Sequence, residues 1–221
     1  EIYTLSLHDA LPISTSGKLP FERVYLHGLV RDSQGKKMSK SKGNVINPLD
    51  VVEKYGADAL RFALVVRSTP GIDKSIGERD FRAARNLTNK IWNAARFIKL
   101  TIDTPATKTH QPLERDQKFT AKMQEIIKTV SKLLDNYKIG TAADILYDEF
   151  WHFYCDQAIE WVKEKTLSPV LAQQALLVWL KLWHPFIPFV TEQIWHELGT
   201  IVGNEKILAL SVWPKSFPSK N

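Results

Sequence analysis

The chain has 221 residues, 44% of them hydrophobic and seven of them tryptophans, so it can fold as one large domain or two smaller ones, and disorder of the whole is excluded. Its single cysteine excludes a disulfide framework, and no apolar run approaches the roughly 20 residues that cross a bilayer, so we expect a cytoplasmic protein without a membrane partner. The net charge of +6 is compatible with a phosphate-bearing partner.

The N-terminal part begins with an expected non-native leader, residues 1–16, which lacks an initiator Met and the features of a signal peptide. The next run, FERVYLHGLV (21–30), favours a buried strand. Its apolar side chains are Val24, Leu26, Leu29 and Val30. A polar loop covers 31–44, and two short helices are predicted after it, over 48–56 and 57–66.

Downstream of residue 78 the apolar residues recur at helical spacing. Helices are predicted over about 78–100, 113–134, 141–164, 169–183 and 188–199, with an extended tail over 207–213. Thr141 followed by Asp144 resembles a capping box, and Ser168 with Pro169 forms an N-cap and N1 pair. The predicted fold class is mostly α: a small α/β part (17–72), an antiparallel helical bundle (73–199) and a tail (200–221).

Aromatic residues of the bundle follow helical spacing, so we predict that they form its core and not a ligand cage. They are Phe150, Trp151, Phe153, Tyr154, Trp161, Trp179, Trp183 and Trp195. Cys155, among these rings, is predicted to be buried and inert. The histidines show no spacing that would bring two nitrogens to one metal, so no protein-bound metal is predicted.

Four lysines crowd the polar loop RDSQGKKMSKSKGN, at positions 36, 37, 40 and 42. Their mutual repulsion is relieved when an anion binds, and serine hydroxyls and backbone N–H groups near glycines add neutral donors. The chemistry indicated is polyphosphate binding. The alternatives are a solvated basic turn or a localisation patch.

The order of the loop residues resembles a known motif, because Lys37 to Ser41 reads KMSKS, as in class I aminoacyl-tRNA synthetases. The surrounding block, PFERVYLHGLVRDSQGKKMSKSKGNVINPLDVVEKYGADALRFAL, is similar to the valyl-tRNA synthetases. Three later stretches, 85–97, 135–154 and 184–198, resemble the anticodon-binding helical domain of that family. The resemblance covers about residues 17–213 and implies the C-terminal part of a Rossmann-type catalytic domain followed by an anticodon-binding bundle.

This family activates valine with ATP, expelling pyrophosphate, and transfers it from the adenylate to tRNA. The resemblance implies that Lys40, with Lys37, stabilises charge on the leaving pyrophosphate. It also implies that ATP, with its Mg²⁺, contacts the whole motif and the preceding strand end. The implied ATP-binding residues are Lys37, Met38, Ser39, Lys40, Ser41, His27 and Gly28. Gly28 would let the nucleotide approach the backbone, while His27 could equally be a structural histidine.

A polar stripe on the helix from residue 78 leaves two interpretations open. Its members are Arg82, Asn86, Asn89, Asn93 and Arg96. Asparagine is a poor helix former, so the stripe calls for a compensating contact. The asparagines could pack against the α/β part through buried hydrogen bonds, or the stripe could bind RNA with Trp92 or Phe97 as stacking surfaces. The tRNA-binding candidates are Arg82, Arg85, Asn89, Trp92 and Arg96. Asp58 and Arg61 are expected to form either a helix-surface ion pair or a domain-packing contact, and not to be catalytic groups.

Three functions remain in competition. The first is a valine–tRNA ligase, a monomer with ATP, valine and a valine-accepting tRNA as partners. An HIGH-like pair of histidines does not occur, so we expect this chain alone not to form adenylate. The second is a fragment of an isoleucyl- or leucyl-tRNA synthetase, since one methylene changes binding by only about 1–3 kcal/mol and the pocket residues are not in the chain. The third is a non-catalytic tRNA-binding helical module.

Overall fold

The computed structural model describes residues 15, 17, 24–102, 114–198 and 207–218. It confirms a mostly α fold with a small parallel sheet. The elements are β1 (Val30–Arg31), α1 (Pro48–Tyr55), α2 (Ala57–Val65), β2 (Lys74–Ser75), α3 (Glu78–Ile102), α4 (Glu114–Asp135), α5 (Ile139–Asp148), a π-helical segment (Glu149–Ala158), α6 (Ile159–Lys163), α7 (Pro169–Trp183) and α8 (Pro188–Glu197). The expected leader, apart from Thr15, and residues 103–113 and 199–206 lie outside the described residues.

The two strands pair in parallel, with Val30 opposite Lys74 and Arg31 opposite Ser75. The carboxylate of Asp73 reinforces the pair, since it accepts from the backbone N–H of Leu29 at 2.8 Å and from Nε of Arg31 at 2.6 Å. The loop and helices α1 and α2 connect the strands, as in a βαβ unit.

The prediction of a buried strand over residues 21–30 is wrong. Only Val30–Arg31 is strand within the described part of this run, and Val24 and Leu29 are 71% and 52% exposed. A run of apolar residues favours a strand by its composition alone. Its side chains are buried only if another part of the protein packs against them. The described residues offer β1 one partner strand, β2, and no cover for these side chains.

Helices α2 and α3 join the N-terminal part to the bundle. Phe62 on α2 and Leu87 and Ile91 on α3 are at most 2% exposed and belong to one continuous hydrophobic core. The predicted apolar face of α3 is confirmed, with Ile98 also buried. The division of the chain into domains at residue 72 stays a prediction, and β2 lies just beyond it.

The third bundle helix does not begin with the predicted capping box. It starts at Ile139, two residues before Thr141, and Asp144 forms an ion pair with Arg67 at 3.4 Å. The close packing requires glycine at position 140, because a Cβ there would lie 2.1 Å from the carbonyl oxygen of Ser68, so the helix and the turn after α2 touch backbone to backbone. The helix continues through the π-helical segment into α6.

The aromatic residues form the core, as predicted. Trp179, Trp183 and Trp195 are at most 2% exposed, while Trp151 and Trp161 are partly buried at its edge. Perpendicular ring contacts, such as Phe150 on Trp179 at 5.3 Å between centroids, follow the preferred edge-to-face geometry. Burial raises the pKa of the Cys155 thiol to about 12, which keeps it in the unreactive protonated form.

The C-terminal residues pack across the bundle. Ser168 caps α7 as predicted, and its Oγ accepts from the backbone N–H of Leu171.

The tail, predicted as extended, contains a 3-10 turn over Leu208–Leu210. Glu192 on α8 accepts hydrogen bonds from the backbone N–H groups of Leu208 and Ala209 in this turn. None of the described helices combines the length and apolar character that a membrane span requires.

Candidate functional site: the lysine loop and the exposed face of α3

Two polar residues at the ends of the lysine loop hold it in shape. The carboxylate of Asp32 accepts from the backbone N–H of Lys36 at 2.8 Å and from Nδ2 of Asn44 at 2.7 Å. Asn44 in turn accepts from the backbone N–H of Ser39 at 2.9 Å and donates to the carbonyl of Lys37 at 3.2 Å. The bond from Asn44 is the main cause that lowers the pKa of Asp32, so this carboxylate is ionised at neutral pH. We call this arrangement the Asp32–Asn44 clamp.

The clamp presents the motif with its cationic groups outward. Lys36, Lys37, Lys40 and Lys42 are exposed, and none of them forms an ion pair with a carboxylate in the described part of the chain. Met38 is half-buried and packs against the core. The 3-10 turn Lys40–Lys42 ends at Gly43 with φ +65°, a conformation that glycine adopts without strain.

A cleft of about 720 Å³ lies between the loop and the start of α3. Lys36, Lys42 and Asn44 line one wall, and Gly77 and Glu78 lie on the other. The Glu78 carboxylate accepts from Lys54 at 2.8 Å and from the hydroxyl of Tyr55, and these donors, Lys54 first, lower the pKa of Glu78 to about 2. Its charge is therefore matched by Lys54. Lys36 and Lys42 are the cations that line the cleft, whereas Lys37 and Lys40 do not line it.

The sequence-predicted residues His27 and Gly28 do not line this cleft. They line a separate cavity of about 320 Å³ together with Val65 and Ile72. His27 is exposed, and its Nδ1 lies 2.9 Å from the carbonyl oxygen of Gly28. A Cβ at position 28 would lie 1.9 Å from the carbonyl oxygen of Ile72, so the packing of the two chain segments already requires glycine there. The nucleotide explanation for Gly28 is therefore not needed.

Sequence reasoning missed Asp32 and Asn44, the two clamp residues. The signal was present, because Asp and Asn are the residues that hydrogen-bond nearby backbone in turns, and they flank the glycine-containing loop on both sides. The lysines drew attention by their charge, whereas the residues that shape the loop carry one negative charge between them.

The polar stripe on α3 faces away from the core. Asn86, Asn89 and Asn93 are all exposed, and the side chain of none of them hydrogen-bonds to another described residue. The expectation that these asparagines pack through buried hydrogen bonds is therefore wrong, because the stripe lies opposite the Leu87–Ile91 face that is buried. The three asparagines therefore form a row of exposed amides. Asparagine lowers the stability of a helix, and no side-chain contact within the described structure offsets that cost.

The predicted RNA-contacting side chains share one face of α3, where some are held by ion pairs or hydrogen bonds and others line cavities. Arg82 pairs with Glu78 at 3.3 Å, and Arg85 donates to the carbonyl of Lys54 at 3.1 Å. Trp92, 38% exposed, lines two neighbouring cavities. One of about 320 Å³ includes Arg96, and the other of about 550 Å³ includes Asn89. The loop cleft therefore lies at the start of α3, and these cavities lie further along it.

Asp58 fixes α8 against α2 beside the larger cavity. Its side chain is 7% exposed, and its carboxylate accepts from the backbone N–H groups of Phe189 at 3.1 Å and Val190 at 2.7 Å, at the start of α8. Burial raises the pKa of Asp58 and outweighs the opposing effect of these hydrogen bonds. Arg61 donates to the carbonyl of Pro185 at 3.2 Å. The predicted packing role of both residues is confirmed.

Two family models match the chain in succession. The model described as tRNA synthetases class I (I, L, M and V) matches residues 6–77, and the model described as anticodon-binding domain of tRNA ligase matches residues 116–221. The first contains the lysine loop. All of α3, with its exposed stripe, lies between the two matched regions.

Curated relatives agree with both models. The valine–tRNA ligase of Clostridium acetobutylicum is 38% identical over 215 residues, which cover 91% of this chain and 24% of the relative. That of Solibacter usitatus is 39% identical over 90% of this chain and 23% of the relative, and that of Aquifex aeolicus is 38% identical over 92% and 19%. The chain thus spans about a quarter of the length of the curated relatives that it matches.

Two solved structures share the fold. The agnB2 LeuRS of Agrobacterium radiobacter K84, in a ternary complex with tRNA and LeuAMS, superposes with a TM-score of 0.74 at 22% identity, covering 95% of this chain and 26% of that chain. The methionyl-tRNA synthetase of Mycobacterium tuberculosis, in complex with methionyl-adenylate, gives 0.71 at 20% identity, covering 96% and 45%.

Proposed function

Because this chain belongs to the class I tRNA synthetases of the isoleucine, leucine, methionine and valine group, we propose that it is part of a valine–tRNA ligase. The proposed protein joins valine to its tRNA through a valyl-adenylate made from ATP. Identity of 38–39% with the valine–tRNA ligases above, over nine-tenths of the chain, supports valine over isoleucine or leucine. The structural observation that carries the proposal is the outward-facing, unpaired lysine set held by the Asp32–Asn44 clamp.

We assign Lys40 and Lys37 to the pyrophosphate that leaves when the valine carboxylate attacks the α-phosphorus of ATP. Negative charge builds on the phosphate oxygens during this step, so cations that meet it there lower the barrier. Both lysines are exposed, and neither forms an ion pair with a carboxylate among the described residues. Ser39 and Ser41, with their hydroxyl oxygens 3.3 Å apart, supply neutral donors beside them.

Magnesium enters this proposal as the companion of the ATP phosphates. The cleft is lined by the cations of Lys36 and Lys42, by neutral polar and apolar side chains, and by the carboxylates of Asp32 and Glu78, which are already engaged by the partners described above. No group of three potential metal ligands occurs within the ranges that the structure describes. We therefore assign no step to a residue that would coordinate the ion.

We propose that tRNA contacts the exposed face of α3 and the bundle that follows it. The match to an anticodon-binding domain over residues 116–221 supports RNA binding by the bundle. On α3, Arg96, Asn89 and Trp92 offer a cation, amides and an aromatic ring, which are the groups that bind unstacked bases and phosphates. Arg82 and Arg85 would contribute at the end of the helix nearer to the lysine loop.

A chimaera tests the catalytic assignment. Residues 17–213 replace the matching segment of the Clostridium acetobutylicum ligase, and valine-dependent exchange of pyrophosphate into ATP is measured. Lys40→Ala should lower the exchange rate by about 10²–10³-fold, the loss typical for one group that stabilises transition-state charge. The KM for valine should change little, since the lysine meets phosphate and not the amino acid.

The control is Lys128→Ala, an exposed lysine on α4, which should leave exchange unchanged. If Lys40→Ala weakened valine binding as much as it slowed exchange, the lysine would be structural and the assignment wrong. An unsubstituted chimaera that binds tRNA but never forms adenylate would favour the third of the functions named at the outset, a non-catalytic tRNA-binding module.

A further inference from the structure

Arg31 is the residue at which β1 passes into the lysine loop. Its backbone carbonyl accepts from the N–H of Ile76, just after β2, at 3.0 Å. Arg31 is also paired in antiparallel fashion with Lys37, the first residue of the KMSKS motif. Through its main chain, Arg31 therefore joins β2 to the beginning of the motif.

A hydrogen-bonded turn separates Arg31 from Lys37. The N–H of Gly35 donates to the carbonyl of Asp32 at 2.9 Å, and the N–H of Asp32 donates to the carbonyl of Lys36 at 3.0 Å. Because these bonds close the turn on itself, it cannot stretch to absorb a displacement of Arg31. We expect such a displacement to move Lys37 as well.

The carboxylate of Asp73 holds the side chain of Arg31. Its Oδ2 accepts from Nε of Arg31 at 2.6 Å, while its Oδ1 accepts from the N–H of Leu29 at 2.8 Å. These bonds, that from Leu29 first, lower the pKa of Asp73, so the carboxylate is ionised at neutral pH. Nη1 of the same guanidinium lies 3.4 Å from the carbonyl oxygen of Gly35 in the turn. Asp73 thus fixes the arginine between β2 and the turn before the motif.

The pairing of the two strands does not depend on this guanidinium. The backbone bonds from Lys74 to Leu29 at 2.9 Å and from Ile76 to Arg31 at 3.0 Å already join β1 and β2. The side chains of Arg31 and Asp73 are each 34% exposed, and an ion pair at such a surface adds little to the stability of a fold. Loss of the ion pair should therefore leave the fold intact and act on the position of the turn.

We propose that Asp73 is a positioning residue for adenylate formation, which acts through Arg31 to set the place of Lys37 and of the KMSKS motif relative to the phosphates of ATP. The proposal rests on the proposed function and adds to it a residue outside the motif. Asp73 contributes by orientation and not by contact with the substrate. Orientation of this kind matters because a displacement of a catalytic group by about 1 Å can cost about 100-fold in rate.

The test uses the chimaera described above and its valine-dependent pyrophosphate exchange. Asp73→Asn keeps an oxygen that can accept from Leu29 but removes the charge that holds Arg31. It should lower kcat by about 10- to 100-fold and leave the KM for valine within about twofold of the wild type. Arg31→Lys keeps the positive charge without the planar fork, so it should also slow exchange, by at least about fivefold.

The matched control is Glu164→Gln, which neutralises a carboxylate of the bundle that pairs with Arg115 at 3.1 Å. It should leave exchange unchanged. The melting temperature of each chimaera is measured alongside, and Asp73→Asn should match the wild type. A melting temperature well below that of Glu164→Gln would make the ion pair a structural one and overturn the proposal.

A double-mutant cycle with Lys40→Ala separates positioning from a general structural role. If Asp73 acts through the motif, Asp73→Asn should cost less than about threefold once Lys40 is absent, because the group that it positions is gone. Two losses that multiply in full would refute the proposal, although Lys40 would keep its assigned role. Exchange by Asp73→Asn at the rate of Glu164→Gln, or a KM for valine that rises as much as kcat falls, would also refute it. An unsubstituted chimaera that forms no adenylate would refute the proposed function and the positioning role together.

Discussion

Substitution of Asp58 by alanine should destabilise the chain by about 2 kcal/mol. The change removes the acceptor of two backbone N–H groups at the start of α8, and loss of an N-terminal cap costs about 0.5–2 kcal/mol. Donors left without a partner in a buried place cost about 1–3 kcal/mol more. Relief of the buried charge offsets part of this, since burial raises the pKa of Asp58 and so opposes its ionised form.

Asp58→Asn isolates the charge. The carboxamide keeps one oxygen acceptor, so we expect a loss of about 1 kcal/mol at pH 7. Because the folded-state pKa of Asp58 is raised, the stability linked to its protonation is fully present below the ordinary value of 3.8 and is lost as pH rises through the folded-state pKa. The wild type should therefore gain stability relative to Asp58→Asn as pH falls from 7 toward 4.

Urea unfolding followed by tryptophan fluorescence measures both effects, at pH 7, 6, 5 and 4. Asp135→Ala, an exposed aspartate on α4, serves as the control and should stay within about 0.5 kcal/mol of the wild type. A gap between wild type and Asp58→Asn that narrows as pH falls would show that the hydrogen bonds outweigh burial. In that case the pKa of Asp58 is lowered, and the reasoning fails.

Three further substitutions test other parts of the structure. Asn44→Ala removes half of the loop clamp. Trypsin should therefore cut the variant after the loop lysines at least about fivefold faster than the wild type for each hydrogen bond lost, while the melting temperature stays unchanged. Equal cutting rates for variant and wild type would contradict the clamp. Gly140→Ala should lower the melting temperature, at a cost of about 1–3 kcal/mol, because its Cβ would meet the carbonyl of Ser68, and calorimetry showing a more stable variant would contradict that close approach. Glu192→Ala should release the tail, seen as faster hydrogen exchange at Leu208, and unchanged exchange would mean that the glutamate does not hold it.

Most of the fold was predicted from helical spacing, and the family was predicted from the residue order of the loop. The buried face of α3 followed from the recurrence of apolar residues such as Ile91 and Ile98, and the KMSKS order indicated the family before any geometry was known. Ser168 was found as a cap because its position before Pro169 is a local signal.

Long-range contacts decided what the sequence could not reveal. The capping box at Thr141 is wrong because the helix already begins at Ile139, and the contact of Gly140 with Ser68 in the turn after α2 could not be foreseen from the local sequence. The apolar run predicted as a strand before the loop is exposed, because burial depends on a covering surface and not on the run's own residues. The asparagines of α3 looked suitable for buried contacts, and only the direction of the helix face showed them to be exposed.

Helix α3 also sets a length scale. At 1.5 Å per residue, it is about 37 Å long, and about 27 Å of it separates Glu78, at the cleft, from Arg96. Since the helix is buried along one side in a continuous core, the distance between its two ends is fixed. A nucleotide spans far less than this distance, so only an extended molecule can contact both ends of α3 at once. The distance between the two ends therefore selects ligands by their length.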